Sequence, residues 1–137
     1  MLHCHLHHVH CFASDIDVSV DWWRRMLDAS VAFDGELAGA RNIFLRVGDG
    51  RLHLYDQAPR GVAPNAVHHI GIRTDDLDRL VAHMERKGQA FRGAIRNREM
   101  FRYIMVAAPD GVLLELFEFD RSGLPADLAR YLSDATG

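Results

Sequence analysis

The sequence predicts an α+β fold of two βαβββ modules forming a curved mixed sheet. Three observations predict it. The segment HHVHCFASDID at 7 to 17 is answered by HHIGIRTDDLD at 68 to 78, an offset of 61 residues. Each copy passes from a strand-like alternation into an amphipathic helical pattern, and each helix is followed by three short strand patterns separated by turn residues.

The elements follow in order. The first strand of each copy alternates apolar and polar positions, with Val9 and Cys11 answered by Ile70 and Ile72. Asp15 and Asp76 then stand where helix N-caps belong. Val18, Trp22 and Leu27 recur at helical spacings in the first copy, and Leu77, Leu80 and Met84 in the second, where Gly88 supplies a stop. Strands are expected near 30 to 35, 41 to 47 and 51 to 56, punctuated by Gly35, Gly39 and the GDG at 48 to 50. In the second copy they fall near 90 to 96, 101 to 107 and 112 to 119, with Pro109, Asp110 and Gly111 forming the last turn. The turn-rich segment 57 to 66, containing Pro59, Gly61 and Pro64, joins the copies. Residues 1–119 are thus expected to form one domain with modules at about 5–57 and 66–119, and 120–137 (with LPADLARYL) to form a C-terminal helical appendage.

Composition narrows the function classes. With 137 residues, 48% hydrophobic and 26% charged, the chain has the balance of a globular domain with a packed core. Its formal net charge of -3 is spread over interspersed signs, so no basic stripe invites nucleic acid or an anionic membrane. The longest apolar runs, such as 111 to 117, are too short to span a bilayer. The N-terminus MLHCHLHHVH lacks the basic start and continuous apolar stretch of a secretory signal. A cytoplasmic protein is expected, with Cys4 and Cys11 as reduced thiols.

Histidine is the anomaly. Five of nine (His3, His5, His7, His8 and His10) fall within the first ten residues. Parity separates them: if Val9, Cys11, Ile70 and Ile72 take the helix face, His8 and His69 take the other. The closing strands align as LHLY at 52 to 55 and LELF at 114 to 117, whose flanking leucines turn His53 and Glu115 to the face opposite the helices. Four metal-competent side chains therefore occupy matching places in the two copies, and a shared cavity would receive all four. His3, His5 and His7 are read as a solvated strand start, and His68 as facing away. Trp22 and Trp23 are read as helix packing or interface residues, and Arg92, Arg96, Arg98 and Arg102 as a solvated face, with an anionic substrate tail as the alternative.

HHVHCFASDID, HHIGIRTDDLD and APDGVLLELFE at 108 to 118 resemble the vicinal oxygen chelate superfamily, which includes glyoxalase I, methylmalonyl-CoA epimerase, extradiol dioxygenases, and bleomycin and fosfomycin resistance proteins. The resemblance covers residues 6–119 and implies a metal-binding cavity with ligands on the first and last strands of each module, here His8, His53, His69 and Glu115. In glyoxalase I the place of His53 usually holds Glu, and in the epimerase Gln. Three-ligand members use only the positions matching His8, His69 and Glu115.

Imidazole and carboxylate suit one divalent ion of zinc, iron, nickel, cobalt or manganese. Such an ion acts as a Lewis acid toward a substrate oxyanion. The resemblance implies Glu115 as the group that moves a proton. His10, two residues beyond His8 and on the same face, is the second catalytic candidate. Tyr55 and Tyr103 are expected to orient a small-molecule substrate. The expected activity is that of a metal-dependent lyase or isomerase of the glyoxalase and epimerase kind, acting as a homodimer. The alternatives are an iron(II) extradiol-type dioxygenase using His8, His69 and Glu115, and a non-catalytic drug-binding protein of the bleomycin-resistance kind.

Overall fold

Each helix begins at an aspartate. In the computed structural model, which describes residues 7–37, 39–61, 67, 69–98, 101–123 and 126, the Asp15 carboxylate accepts from the Val18 N–H at 3.0 Å and that of Asp76 from the Arg79 N–H at 2.9 Å. The first turn of a helix leaves backbone N–H groups without helical partners, and a short carboxylate satisfies one of them while countering the positive end of the dipole. The helices so started are α1, Ile16–Leu27, and α2, Leu77–Arg86. Beyond α2 the chain turns through Gly88 at φ 93°, a conformation that disfavours any side chain.

The strands are β1 (Val9–Ala13), β2 (Ser30–Leu37), β3 (Ala40–Val47), β4 (Gly50–Asp56), β5 (Ile70–Arg73), β6 (Arg96–Asn97), β7 (Phe101–Ala107) and β8 (Leu113–Phe119). They form two four-stranded sheets, in the orders β1-β4-β3-β2 and β5-β8-β7-β6. The outer strands β1 and β5 run parallel to β4 and β8, while β2 with β3, β3 with β4, and β6 with β7 are antiparallel. Strand, helix and three strands thus occur twice along the chain, the duplicated α+β plan of the sequence. The chain divides into two compact units, Met1–His68 with Ala107–Val112, and His69–Val106 with Leu113–Gly137.

Each unit has its own core. In the first, Ile16, Trp23 and Met26 of α1 are buried, as are Ile43, Leu45, Leu52 and Leu54 of the sheet. In the second, Leu77 and Met84 of α2 are buried, as are Ile104, Val106, Leu114 and Leu116. The turn at Pro109–Gly111 belongs to the first unit, where the Asp110 carboxylate accepts from both the backbone N–H and the hydroxyl of Ser14 just before α1.

A second duplication fastens the helices. Arg41 donates to Asp17 at 2.9 Å and, through two nitrogens, to Asp34 at 2.8 Å. Sixty-one residues later Arg102 donates to Asp78 at 2.9 and 3.0 Å and to Glu118 at 2.8 Å. Glu118 in turn accepts from the Leu77 N–H at 2.6 Å. Arg41 holds the Asp34 carboxyl below its usual range and Arg102 does the same to Asp78. Solvent screens these pairs, so they align helix with strand more than they stabilise. Arg102 is therefore not part of a solvated face: it holds the first turn of α2.

Three expectations change in detail. The buried stripe of α1 is Ile16, Ser19, Trp23 and Met26, whereas Val18 is 57% exposed and Trp22 and Leu27 are half-buried. The stripe starts at the residue next to the cap, and the small Ser19 keeps it continuous. The strand expected near 90 to 96 shrinks to Arg96–Asn97, because Arg92, Gly93 and Ala94 break the alternation that a strand requires. Of the appendage expected at 120–137, a 3₁₀ turn at Arg121–Gly123 is described. Most of LPADLARYL lies outside the described residues, as do His3, Cys4, His5, Pro64 and His68.

Leu116 is fully buried, so Leu116→Ala is expected to lower stability by about 2–5 kcal/mol through lost contacts and the cavity left behind. Asp15→Ala is expected to cost about 0.5–2 kcal/mol. Urea unfolding checks both, and a wild-type midpoint for Leu116→Ala would contradict the assigned core.

Candidate functional site

The buried leucines of β4 set the face of its other residues. Leu52 and Leu54 pack inward, so His53 and Tyr55 stand on the opposite face. The parallel register places His10 of β1 beside His53. Their rings lie 4.4 Å apart between centroids, and the His8 ring lies 5.7 Å from that of His53. His7 and His8 are exposed, with their Nδ1 atoms 3.0 Å apart, one donating to the other. Burial, followed by repulsion from His10 and His8, pushes the His53 pKa down, so the site favours neutral imidazole there.

Asn42 is the residue the sequence reading missed. It sits opposite Tyr55 in the β3–β4 register, so it shares the face of His53, and it is only 2% exposed. Its Oδ1 lies 2.6 Å from His53 Nε2, and its Nδ2 donates to the carbonyls of Leu37 and Ala40 at 2.8 Å each. The signal was present in the repeat: the offset of 61 aligns Asn42 with Tyr103, one of the residues expected to orient a substrate.

Aromatic rings continue along this face. Phe33 packs on Phe44, Phe44 on His53, His10 on Tyr55 and Phe12, with centroids 4.4 to 5.7 Å apart. The Arg60 guanidinium stands 5.8 Å from the Phe12 ring centre. The first unit thus gathers His8, His10, His53 and Tyr55 on an aromatic surface.

The second unit repeats the register with different chemistry. Leu114 and Leu116 are fully buried, and Glu115 pairs with Gly71 as His53 pairs with His10. A side chain at Gly71 would begin 3.3 Å from the Phe117 ring, so no counterpart of His10 fits there without that ring giving way. His69, just before β5, brings its Nε2 to 3.8 Å from Glu115 Oε1, beyond hydrogen-bond length. Tyr103 of β7 faces Arg96 of β6, and the guanidiniums of Arg98 and then Arg96 hold its phenol below the usual range. A cleft of about 530 Å³ in this unit is lined by residues including Arg73, Arg98, Phe101, Arg102 and Phe119, but by neither His69 nor Glu115.

The expected ligands thus fall into two pairs, His8 with His53 and His69 with Glu115, each made of the residue just before the first strand and one on the last strand of its own unit. Among the described residues, no three or more His, Cys, Asp or Glu are grouped so as to hold a metal ion. The imidazoles and the carboxylate suit a divalent ion in chemistry. Ligands bonded at about 2.0–2.2 Å to one ion lie roughly 3–3.5 Å apart, and the His69–Glu115 separation of 3.8 Å approaches that range. Among the described residues, no helix is long and apolar enough to cross a membrane.

Residues 5–116 match the family model of the Glyoxalase/Bleomycin resistance protein/Dioxygenase superfamily. Solved structures share the fold. TnmS3, an antibiotic binding protein from Streptomyces sp. CB03234, is 24% identical with a TM-score of 0.73, covering 88% of this chain and 99% of its own. A glyoxylase/bleomycin resistance protein/dioxygenase domain from Frankia sp. EAN1pec is 17% identical with a TM-score of 0.72, covering 87% of this chain and 94% of its own. A mutant of the fosfomycin resistance protein FosX from Listeria monocytogenes, in complex with Mn(II) and 1S,2S-dihydroxypropylphosphonic acid, is 13% identical with a TM-score of 0.72, covering 87% and 95%. No curated protein matches the sequence.

The depressed pKa of His53 has a defined sign. Its folded-state value lies below the ordinary 6.5, so the stability it contributes is complete above that pH and is lost as pH falls through the folded value. Metal-free wild type is therefore expected to lose stability on acidification below about pH 6.5 more steeply than His53→Gln, whose amide can donate to Asn42 without titrating. Chemical unfolding across that window measures the difference, and parallel curves would refute the assignment.

Proposed function

Because the chain belongs to the Glyoxalase/Bleomycin resistance protein/Dioxygenase superfamily, we propose that it is a metal-dependent lyase or isomerase of the glyoxalase and epimerase kind, acting on a small molecule with a carbonyl group. One observation carries the reading: the parallel pairs β1–β4 and β5–β8 have equivalent registers, and each presents one pair of metal-competent side chains from equivalent positions. His8, His53, His69 and Glu115 are the residues that would hold a divalent ion of zinc, iron, nickel, cobalt or manganese. The chemistry such an ion supplies when bound is Lewis acidity toward a carbonyl or enolate oxygen.

The remaining work falls to the chain. Glu115 takes the proton from carbon and returns it, and its partly exposed carboxylate leaves room for exchange. His10, an exposed imidazole against the His53 ring, is the second acid–base group of this reading. Tyr55 and Tyr103 orient the substrate by hydrogen bonding. The lowered pKa of Tyr103 makes its hydroxyl the stronger donor to a developing negative charge. The setting of this reading is a homodimer in the cytoplasm.

A second reading is supported by the aromatic surface of the first unit: capture of an aromatic, drug-like compound without turnover. It accords with the antibiotic binding named for TnmS3.

Elemental analysis of purified protein and Glu115→Gln separate the two. The first reading expects about one divalent metal per site. It also expects solvent deuterium to enter the carbon beside a substrate carbonyl, with Glu115→Gln slowing that exchange by about 10²–10⁴-fold. A metal-free protein whose aromatic-ligand binding and stability are unchanged by Glu115→Gln would replace the first reading with the second.

A further inference from the structure

We infer that Asn42 is a positioning residue that holds His53 as the tautomer protonated on Nε2, so that Nδ1 is the lone pair His53 offers on the face it shares with His8 and His10. Two carbonyl oxygens, those of Leu37 and Ala40, stand 2.8 Å from one terminal atom of the Asn42 amide. Carbonyls only accept, so that atom is the amide nitrogen, with both its hydrogens committed. The other terminal atom is then the amide oxygen, and it too only accepts. At 2.6 Å from it, His53 Nε2 must be the donor.

The opposite tautomer would set a ring lone pair against the amide oxygen inside a region where Asn42 is 2% exposed. A buried acceptor facing another acceptor loses its bond and gains repulsion. Rotating the amide relieves that clash but turns its oxygen toward two carbonyls. The pairing therefore runs one way, from the β2–β3 turn through Asn42 to the ring. Among the described residues no buried side-chain nitrogen or oxygen lacks a partner, so nothing in the core competes for the amide.

Asn42 thus does for His53 what an outer-shell carbonyl does for a ligating histidine, fixing the proton on one nitrogen and aiming the other. This step rests on the metal reading above; the tautomer itself rests on the hydrogen bonds alone. It also distinguishes the two units. The counterpart of Asn42 is Tyr103, which has no amide to offer, and the counterpart of His53 is Glu115, which has no tautomer to choose.

The test is long-range proton–nitrogen correlation NMR on full-length protein carrying isotope-labelled histidine, at about pH 8 where imidazole is neutral, before and after adding zinc. Metal-free wild type is expected to show His53 protonated on Nε2 alone, and zinc to shift its Nδ1 as the bound nitrogen. In Asn42→Ala the Nδ1-protonated form is expected to become populated, and zinc affinity from chelator competition to fall about 10–100-fold. If that variant does not fold, the wild-type spectra decide. A wild-type His53 protonated on Nδ1, zinc bound through its Nε2, or an Asn42→Ala variant with unchanged tautomer and affinity would each overturn the inference. Failure of wild type to take up any divalent metal overturns instead the metal reading, while the metal-free spectrum still reports on the tautomer.

Discussion

Burial of alternate leucines in β4 and β8 is the constraint from which the candidate site follows. Leu52, Leu54, Leu114 and Leu116 are no more than 5% exposed. Each contributes roughly 1.5–3 kcal/mol through removal from water. A strand reverses its side chains at every residue, so packing these leucines under the helices turns His53 and Glu115 the other way. A slip of one residue in either strand would expose its two leucines and press an imidazole, in β4, or a carboxylate, in β8, into the core. Hydrophobic packing, rather than any affinity among the polar groups, sets where the site residues point.

The two units then differ where chemistry would differ. His53 corresponds to Glu115, His10 to Gly71 and Asn42 to Tyr103, whereas the leucines, the capping aspartates and the Arg–Asp clamps are kept in both. Scaffold positions answer to packing, and packing is the same problem twice. On the polar face the first unit carries imidazoles on aromatic rings, with burial keeping His53 neutral. The second carries a carboxylate beside His69 and a phenol flanked by guanidiniums. One unit thus offers imidazole nitrogens and the other a carboxylate oxygen.

The clamps account for how polar faces are held without large stabilisation. Arg41 and Arg102 each bridge a helix's first turn to strand carboxylates, and Glu118 adds a bond to the Leu77 N–H. Partly exposed pairs of this kind contribute little net free energy, yet their fork geometry restricts how the helix can shift along the sheet. The residues opposite the helices are kept in register by the same restriction.

The repeat in the sequence, with its capping aspartates and period-two leucines, was enough to determine the duplicated βαβββ order and to place His8, His53, His69 and Glu115 at equivalent positions in the two copies. These features depend on local spacing and on which side chains water rejects, and both are written along the chain. The tertiary structure decided what depends on neighbours from other strands. It moved the buried stripe of α1 to Ile16, Ser19, Trp23 and Met26 and cut β6 to two residues. It turned Arg102 from a presumed solvent-facing charge into a clamp, since its partners Asp78 and Glu118 lie far from it in sequence. It also set Asn42 against His53. That contact needs β3 and β4 in register and two carbonyls from the β2–β3 turn, a convergence that no spacing within one strand encodes.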